Sequence, residues 1–269
     1  MVYPNSSLNH LLHMKYGVLY IATGNRCCAE AIENAKRTRI FNPKLLIAIK
    51  TDQMDLAINA NVFDEILGFV NPSWSYRDKI VGLYDLPYSI TLFLDSDACL
   101  IQPIENVLSI LTVSDFAAVS APVRHPPGWS DSSIPSLFPE LNTGVLLLRR
   151  SNKWNTLVQD WLNLYDSLVE SHSQLWDQAS FRSVVWSTIQ MRKLRFIHLP
   201  SELNLRTTKP WTAGRGMPIY VIHGRFPDEE FTPFVNYLNL DIDRFRTWNE
   251  WLSFFPNSRI RPRFDRTFG

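Results

Sequence analysis

Two aspartates, Asp95 and Asp97, follow the apolar run Ile90–Leu94 (ITLFL), with Ser96 between them. On an extended backbone, side chains at i and i+2 share a face, so the two carboxylates converge while Ser96 points away. Converging carboxylates repel unless a cation or a proton sits between them. Hard divalent cations take such oxygens and keep positions free for water and phosphate. Helix capping or a turn is the competing use of Asp-Ser-Asp, and the buried strand in front of it favours the cation. His223 closes a second apolar run, Ile219–Ile222, and an imidazole beside two carboxylates suits Mn²⁺ better than Mg²⁺ or Ca²⁺. Thr23, Gly24 and Asn25 follow a third run, Tyr16–Ala22. Asp177 and Gln178 open a predicted helix, where Asp177 either places charge in the first turn or does chemistry. The residues alone leave both uses of Asp177 open.

These side chains need a scaffold that brings strand ends together. Short apolar runs at Tyr16–Thr23, Leu45–Ile49, Glu65–Val70, Ile90–Leu94, Phe116–Ser120 and Gly144–Leu148 alternate with amphipathic stretches such as Cys28–Arg39 and Tyr76–Leu86. Strands separated by helices of this length imply crossovers and a mainly parallel sheet, an α/β class. In such sheets ligands bind beyond the carboxyl ends of the strands, where the polar clusters above stand. Trp154, Leu157, Val158, Trp161, Tyr165 and Leu168 recur at helical spacing, so both tryptophans read as core. Arg195–His198 and Ile219–Ile222 read as late strands. The proline- and serine-rich stretch Ala121–Pro139 is too long for an ordinary connection and reads as functional. One domain over residues 16–240, an N-terminal extension over 1–15 and a C-terminal helix with a basic tail over 241–269 are the expected organisation.

Composition narrows the function. The net charge of +1, from 27 basic and 26 acidic residues, argues against nucleic acid as partner. Cys27, Cys28 and Cys99 cannot form a disulfide framework and read as small buried residues of a reducing compartment. No run approaches membrane-spanning length, and the polar N-terminus does not read as a secretory signal; a cytoplasmic location is expected. Trp248, Trp251, Phe254 and Phe255 precede Arg259, Arg261, Arg263 and Arg266. That order suits peripheral contact with an anionic bilayer from the cytoplasmic side, against the plainer reading of a docked helix and solvated tail.

Taken in order, these stretches resemble GT-A-fold glycosyltransferases, closest to glycosyltransferase family 8 and its glycogenin-like members. The resemblance rests on the first strand with Thr23-Gly24-Asn25, the Lys79 helix leading into LFLDSDACLIQPI, LNTGVLLLRRS from Leu141, LWDQASF from Leu175 and, more weakly, VIHGRF from Val221. It implies a Rossmann-like sheet and a metal-dependent transfer of sugar from a nucleotide-sugar donor, UDP-linked, with retention, to a carbohydrate, protein or lipid acceptor. It implies that Asp95, Asp97 and His223 hold Mn²⁺, or Mg²⁺, against the diphosphate. Thr23, Gly24, Asn25, Lys79 and Ser96 would bind the donor; Asn142, Thr143 and Gly144 would line the sugar or acceptor pocket; Asp177 and Gln178 would be catalytic; Asn204 would lie on the acceptor side. Physically, a cation and nearby basic groups stabilise charge growing on a departing phosphate, and a carboxylate opposite it would favour the developing positive sugar carbon.

One departure stands out. The family's closing motif carries a lysine after the histidine, whereas here Gly224, Arg225 and Phe226 follow His223. Arg225 could supply the charge, or Lys209 and Arg215 from a loop whose Gly214 and Gly216 would let it close as a lid. Two other classes remain to be tested: a haloacid-dehalogenase-type phosphotransferase using Asp95 as nucleophile, and a catalytically silent nucleotide-sugar or glycan-binding module.

Overall fold

A computed structural model of the chain describes residues 14–122, 128–207, 213–225 and 227–243. Along the first third, β1 (Tyr16–Ile21), α1 (Asn25–Phe41), β2 (Leu46–Thr51), α2 (Met54–Ala60), β3 (Glu65–Gly68), α3 (Tyr76–Gly82) and β4 (Ile90–Leu94) alternate as expected. After β5 (Ala98–Leu100) come β6 (Phe116–Ser120), β7 (Leu141–Arg149), α4 (Asn152–His172), α5 (Gln178–Gln190), β8 (Phe196–Leu199), β9 (Leu205–Arg206), β10 (Val221–His223) and α6 (Asp228–Asn239).

The main sheet has seven strands in the order β3-β2-β1-β4-β7-β6-β8. Strands β1 to β4 are mutually parallel, and β8 is parallel to β6. Every residue of β4 is buried, as a strand covered on both faces must be. The alternation misleads at β7, which runs antiparallel to both β4 and β6. This reversal serves the site. Leu94 pairs with Val145, and the amide of Asp95 donates to the carbonyl of Gly144 at 2.8 Å. The start of β7 therefore lies beside the end of β4.

One face of the sheet packs on α1 through Cys28, Ala31, Ile32 and Ala35. The other packs on α3, α4 and α5 through Ile80, Leu83, Trp154, Leu157, Trp161 and Phe181. Both tryptophans are core, as their spacing indicates, and their indole N–H groups find acceptors. Trp154 donates to the Leu83 carbonyl at 3.0 Å, and Trp161 to the Asp177 carbonyl at 3.1 Å. Ser151 caps α4 by accepting from the Trp154 amide at 3.2 Å. That single bond satisfies a donor that the helix itself cannot.

A second, three-stranded sheet in the order β5-β10-β9 carries His223. His223 is thus not at an end of the main sheet, as its apolar run suggests, but on a separate ribbon. The register of β10 against β5 sets it opposite Ala98, one residue past Asp97. The Gly224 amide extends that ladder by donating to the Asp97 carbonyl at 2.7 Å. Gly224 has φ +143°, and a Cβ there would stand 2.1 Å from Thr207 Oγ1, so only glycine fits the turn.

The described part of the long loop is pinned to α5. Arg182 donates to the Pro135 and Phe138 carbonyls, and Ser183 to Asp131. The Gly214 amide donates to Glu202 at 2.8 Å; Lys209 lies outside the described residues, as does the aromatic and basic segment from Trp248 to Arg266. Among the described residues no helix is long and apolar enough to cross a membrane.

Candidate active site

Asp95-Ser96-Asp97 is a tight turn between β4 and β5, closed by the Ala98 amide donating to the Asp95 carbonyl at 2.9 Å. The turn, not the pleat of an extended strand, gathers the carboxylates. Ser96 does point away from them: its hydroxyl meets Glu30 at 3.3 Å and its carbonyl accepts from Asn34 at 2.8 Å. It braces the turn against α1.

His223 arrives from the small sheet. Its Nε2 lies 3.2 Å from Asp97 Oδ1 and 3.8 Å from Asp95 Oδ2. One ligand atom from each of the three residues falls within 4.8 Å of the others. Adjacent ligands of an octahedral ion with bonds of about 2.0–2.1 Å stand about 3 Å apart, so the triad is near coordination spacing. Gly144 leaves the room: a Cβ there would lie 2.3 Å from His223 Cε1 and 2.5 Å from Asp95 Oδ2. The donor set, two carboxylate oxygens and an imidazole nitrogen, fits a borderline divalent ion such as Mn²⁺.

Lys79 reaches the same place from α3. Its buried ammonium sits 3.1 Å from Asp95 Oδ1 and 3.1 Å from Asp177 Oδ2, with Thr143 Oγ1 at 3.3 Å. Asp177 stands at the N-cap of α5 without capping it, so the helix-cap use left open by sequence is not the one adopted. Instead its carboxylate accepts from Thr143 at 2.8 Å and pairs with Lys79. Only 2% of it is exposed, and Trp161 holds its carbonyl from behind.

Electrostatics set the members apart. Burial works against the charge of Lys79, but Asp177 and Asp95 outweigh it and raise the ammonium above its ordinary pKa. Burial raises Asp95; Lys79 and His223 pull it back, while Asp97 and Asp177 add to the rise. Burial also opposes ionisation of Asp97, yet His223, Arg206 and Arg225 prevail and hold it well below the usual carboxylate range. Three carboxylates thus crowd around one ammonium and one imidazole, a surplus of acidic oxygens that a divalent cation would offset.

No family model matches the chain, and no curated protein does. Solved structures match in fold. The galactosyltransferase LgtC, in complex with donor and acceptor sugar analogs, gives a TM-score of 0.55 at 16% identity, over 88% of this chain and 99% of that one. The glycosyltransferase GlyE of Streptococcus pneumoniae TIGR4 gives 0.54 at 15% identity, over 80% of this chain and 56% of that one. The chain has the GT-A fold.

In this GT-A chain the remaining residues fall into two groups. At the mouth of β1, Thr23 donates to Asp78 at 2.7 Å and the Gly24 amide to Asp52 at 2.7 Å, while Asn25 is exposed at the start of α1. Asp52 also accepts from the indole of Trp74 at 3.2 Å, and Asp78 from the Trp74 amide at 2.8 Å. Trp74 is thereby held at φ +49° with 69% of its surface exposed. Asp52, Asp78 and Trp74 were not legible as site residues, because nothing in their spacing separates them from an ordinary turn before a helix. At the other end, Asn142 donates to Gln178 Oε1 at 3.1 Å. Asn204, which the resemblance would put on the acceptor side, is buried and bonded to Asn142 and His223, which points it at the imidazole rather than at solvent. Arg225 is tied to Glu30, its guanidinium Nη2 at 3.0 Å from Glu30 Oε2, and reaches the triad through its field on Asp97.

The phosphotransferase alternative loses its support. It needs the Asp-x-Asp after the first strand, whereas here it follows β4, and its nucleophile Asp95 is engaged by Lys79.

Proposed function

We propose that the chain is a metal-dependent glycosyltransferase that moves a sugar from a nucleotide-sugar donor, UDP-linked, to an acceptor, with retention of configuration. The observation carrying this reading is the convergence of Asp95, Asp97 and His223 directly beside the buried Lys79–Asp177 pair on a GT-A scaffold. A divalent cation in the triad supplies charge stabilisation to a departing diphosphate. Lys79 pairs with both Asp95 and Asp177 in a buried setting, 3.1 Å from each. Asp177 and Gln178 face the donor sugar, where a carboxylate favours positive charge developing at the anomeric carbon. The mouth of β1, with Thr23, Gly24, Asn25 and the exposed indole of Trp74, receives the nucleoside. On the rim the half-exposed ring of Trp176 packs on Tyr76 at 5.5 Å, an apolar face suited to a sugar ring.

Calorimetry of UDP with Mn²⁺ tests the reading. Asp97→Ala abolishes the metal-dependent part of UDP binding and, with it, turnover of UDP-sugars. Unchanged metal-dependent UDP affinity in that variant removes the triad from the donor site. Full nucleotide-sugar binding with neither transfer nor slow donor hydrolysis by the unmutated chain leaves a binding module instead.

A further inference from the structure

Four side chains that touch end to end carry a direction. The Gly144 amide N–H lies 2.9 Å from Asn142 Oδ1. A backbone amide only donates, so the atom facing it is the Asn142 oxygen. That oxygen is also 2.8 Å from the Asn204 side chain, which must present its NH₂ there, since two amide oxygens cannot share a hydrogen bond. The Asn204 oxygen is thereby turned towards His223 Nδ1, 2.9 Å away. An amide oxygen has no hydrogen to give, so Nδ1 carries the proton and donates. The remaining ring nitrogen, Nε2, is the one that faces Asp97 and Asp95.

We infer that Asn204, oriented through Asn142 by the Gly144 amide, is a positioning residue of the metal site: it selects the Nδ1–H form of His223 and leaves the Nε2 lone pair for the cation. This rests on the metal reading of the triad given above. The relay is built for the task. Asn142, Asn204 and His223 are 4%, 3% and 2% exposed, so no water competes for these bonds. Without the Asn204 acceptor, Nδ1 loses its partner and the imidazole proton is free to sit on Nε2, hydrogen-bonded to Asp97 and blocking the ligand position. Imidazole ligands are commonly held in this way by a hydrogen bond from the second nitrogen, and losing it costs about 10–100-fold in metal affinity. The relay also has a far end: Asn142 donates to Gln178 Oε1, which leaves Gln178 Nε2 as the group free to donate. Among the described residues it meets no protein acceptor.

The test uses the full chain and Mn²⁺ without nucleotide, with free Mn²⁺ read by electron paramagnetic resonance. Asn204→Leu, which removes the acceptor against Nδ1, weakens Mn²⁺ binding by about 10–100-fold. Asp97→Ala serves as the reference. If Asp97→Ala binds Mn²⁺ as the unmutated chain does, the metal reading fails. If Asp97→Ala loses binding while Asn204→Leu keeps it, the relay alone is overturned. A measurement on the unmutated chain needs no substitution to fold: with ¹¹³Cd²⁺ and ¹⁵N-labelled histidine, the His223 nitrogen coupled to cadmium is Nε2 and the protonated one is Nδ1. Coupling to Nδ1 refutes the inference.

Discussion

Gly144→Ala should disable the site through a single methyl group. Gly144 has ordinary strand geometry, so alanine meets no backbone penalty; the whole effect is steric. Its Cβ would lie 2.3 Å from His223 Cε1 and 2.5 Å from Asp95 Oδ2, overlaps of about 1 Å against ordinary contact. Neither neighbour yields easily. His223 is held by Asn204 at 2.9 Å, and the Asp95 backbone is bonded to the Gly144 carbonyl at 2.8 Å. A ligand must therefore move by about 1 Å, where coordination tolerates about 0.2 Å. Mn²⁺ affinity should fall at least about 10–100-fold, or about 1.4–2.7 kcal/mol. The crowding itself costs about 1–3 kcal/mol of stability, less than the 5–15 kcal/mol that domains typically hold, so the variant folds. Gly68→Ala is the control, because the nearest atom to its Cβ is Met54 Sδ at 3.9 Å. Mn²⁺ titration alongside thermal melting reads both effects. If Gly144→Ala folds and binds Mn²⁺ like the unmutated chain, Asp95 and His223 do not ligate as argued.

Two further predictions concern charge. Lys79→Met leaves Asp95 and Asp177 facing each other without the ammonium that now sits 3.1 Å from each, which should cost about 3–5 kcal/mol. Mn²⁺ should stabilise this variant more than the unmutated chain in chemical denaturation, since the ion then carries all the compensation for Asp95; an equal increment contradicts the shared-charge account. Glu140 is pushed up to about 7 by burial, only partly offset by Arg182 at 3.8 Å and reinforced by Asp177, and its Oε1 has no partner. A carboxyl raised on folding binds its proton more tightly in the native state, so its contribution is present below the unfolded value of 4.5 and lost as pH rises through about 7. At about 1.36 kcal/mol per unit, Glu140→Gln should gain up to about 3 kcal/mol on the unmutated chain between pH 4.5 and pH 8. Denaturation at both pH values measures it, and a pH-independent difference counts against a buried ionising Glu140.

What was legible from sequence depended on whether a residue's job is local. Strand β4 announces itself because a five-residue run with four apolar members, followed by Asp-Ser-Asp, has few other uses, and the Trp154–Leu168 stripe places α4 on the core by its period alone. The direction of β7 carries no such mark. A buried strand reads alike parallel or antiparallel, and β7 is set antiparallel by its pairing with β4 and β6, while residues 131–138 before it are held on α5 by Arg182 and Ser183. Asp52 and Asp78 were hidden for a similar reason: each looks like a turn residue, and only the fold turns their carboxylates towards Gly24, Thr23 and Trp74.

His223 reaches the triad by a route that the sequence does not mark. Sequence places it at the end of an apolar run, which suggests a strand of the main sheet. In fact it rides the small sheet, and its distance from Asp97 is set by β10 pairing with β5, the strand that the Asp-Ser-Asp turn itself begins. The two halves of the triad are therefore fastened by one ladder: the turn delivers Asp95 and Asp97, and the strand leaving it recruits the imidazole. Gly144 from the antiparallel β7 completes the enclosure from the main sheet. A cation placed there would join the two sheets, so loss of the ion should loosen the β5–β10 ladder before it touches β1 to β4. Hydrogen exchange with and without Mn²⁺ would show protection rising at Ile222, His223 and Gly224, while the β4 amides stay as they are. Uniform protection across both sheets would mean that the ion binds elsewhere or that the two sheets already open as one unit.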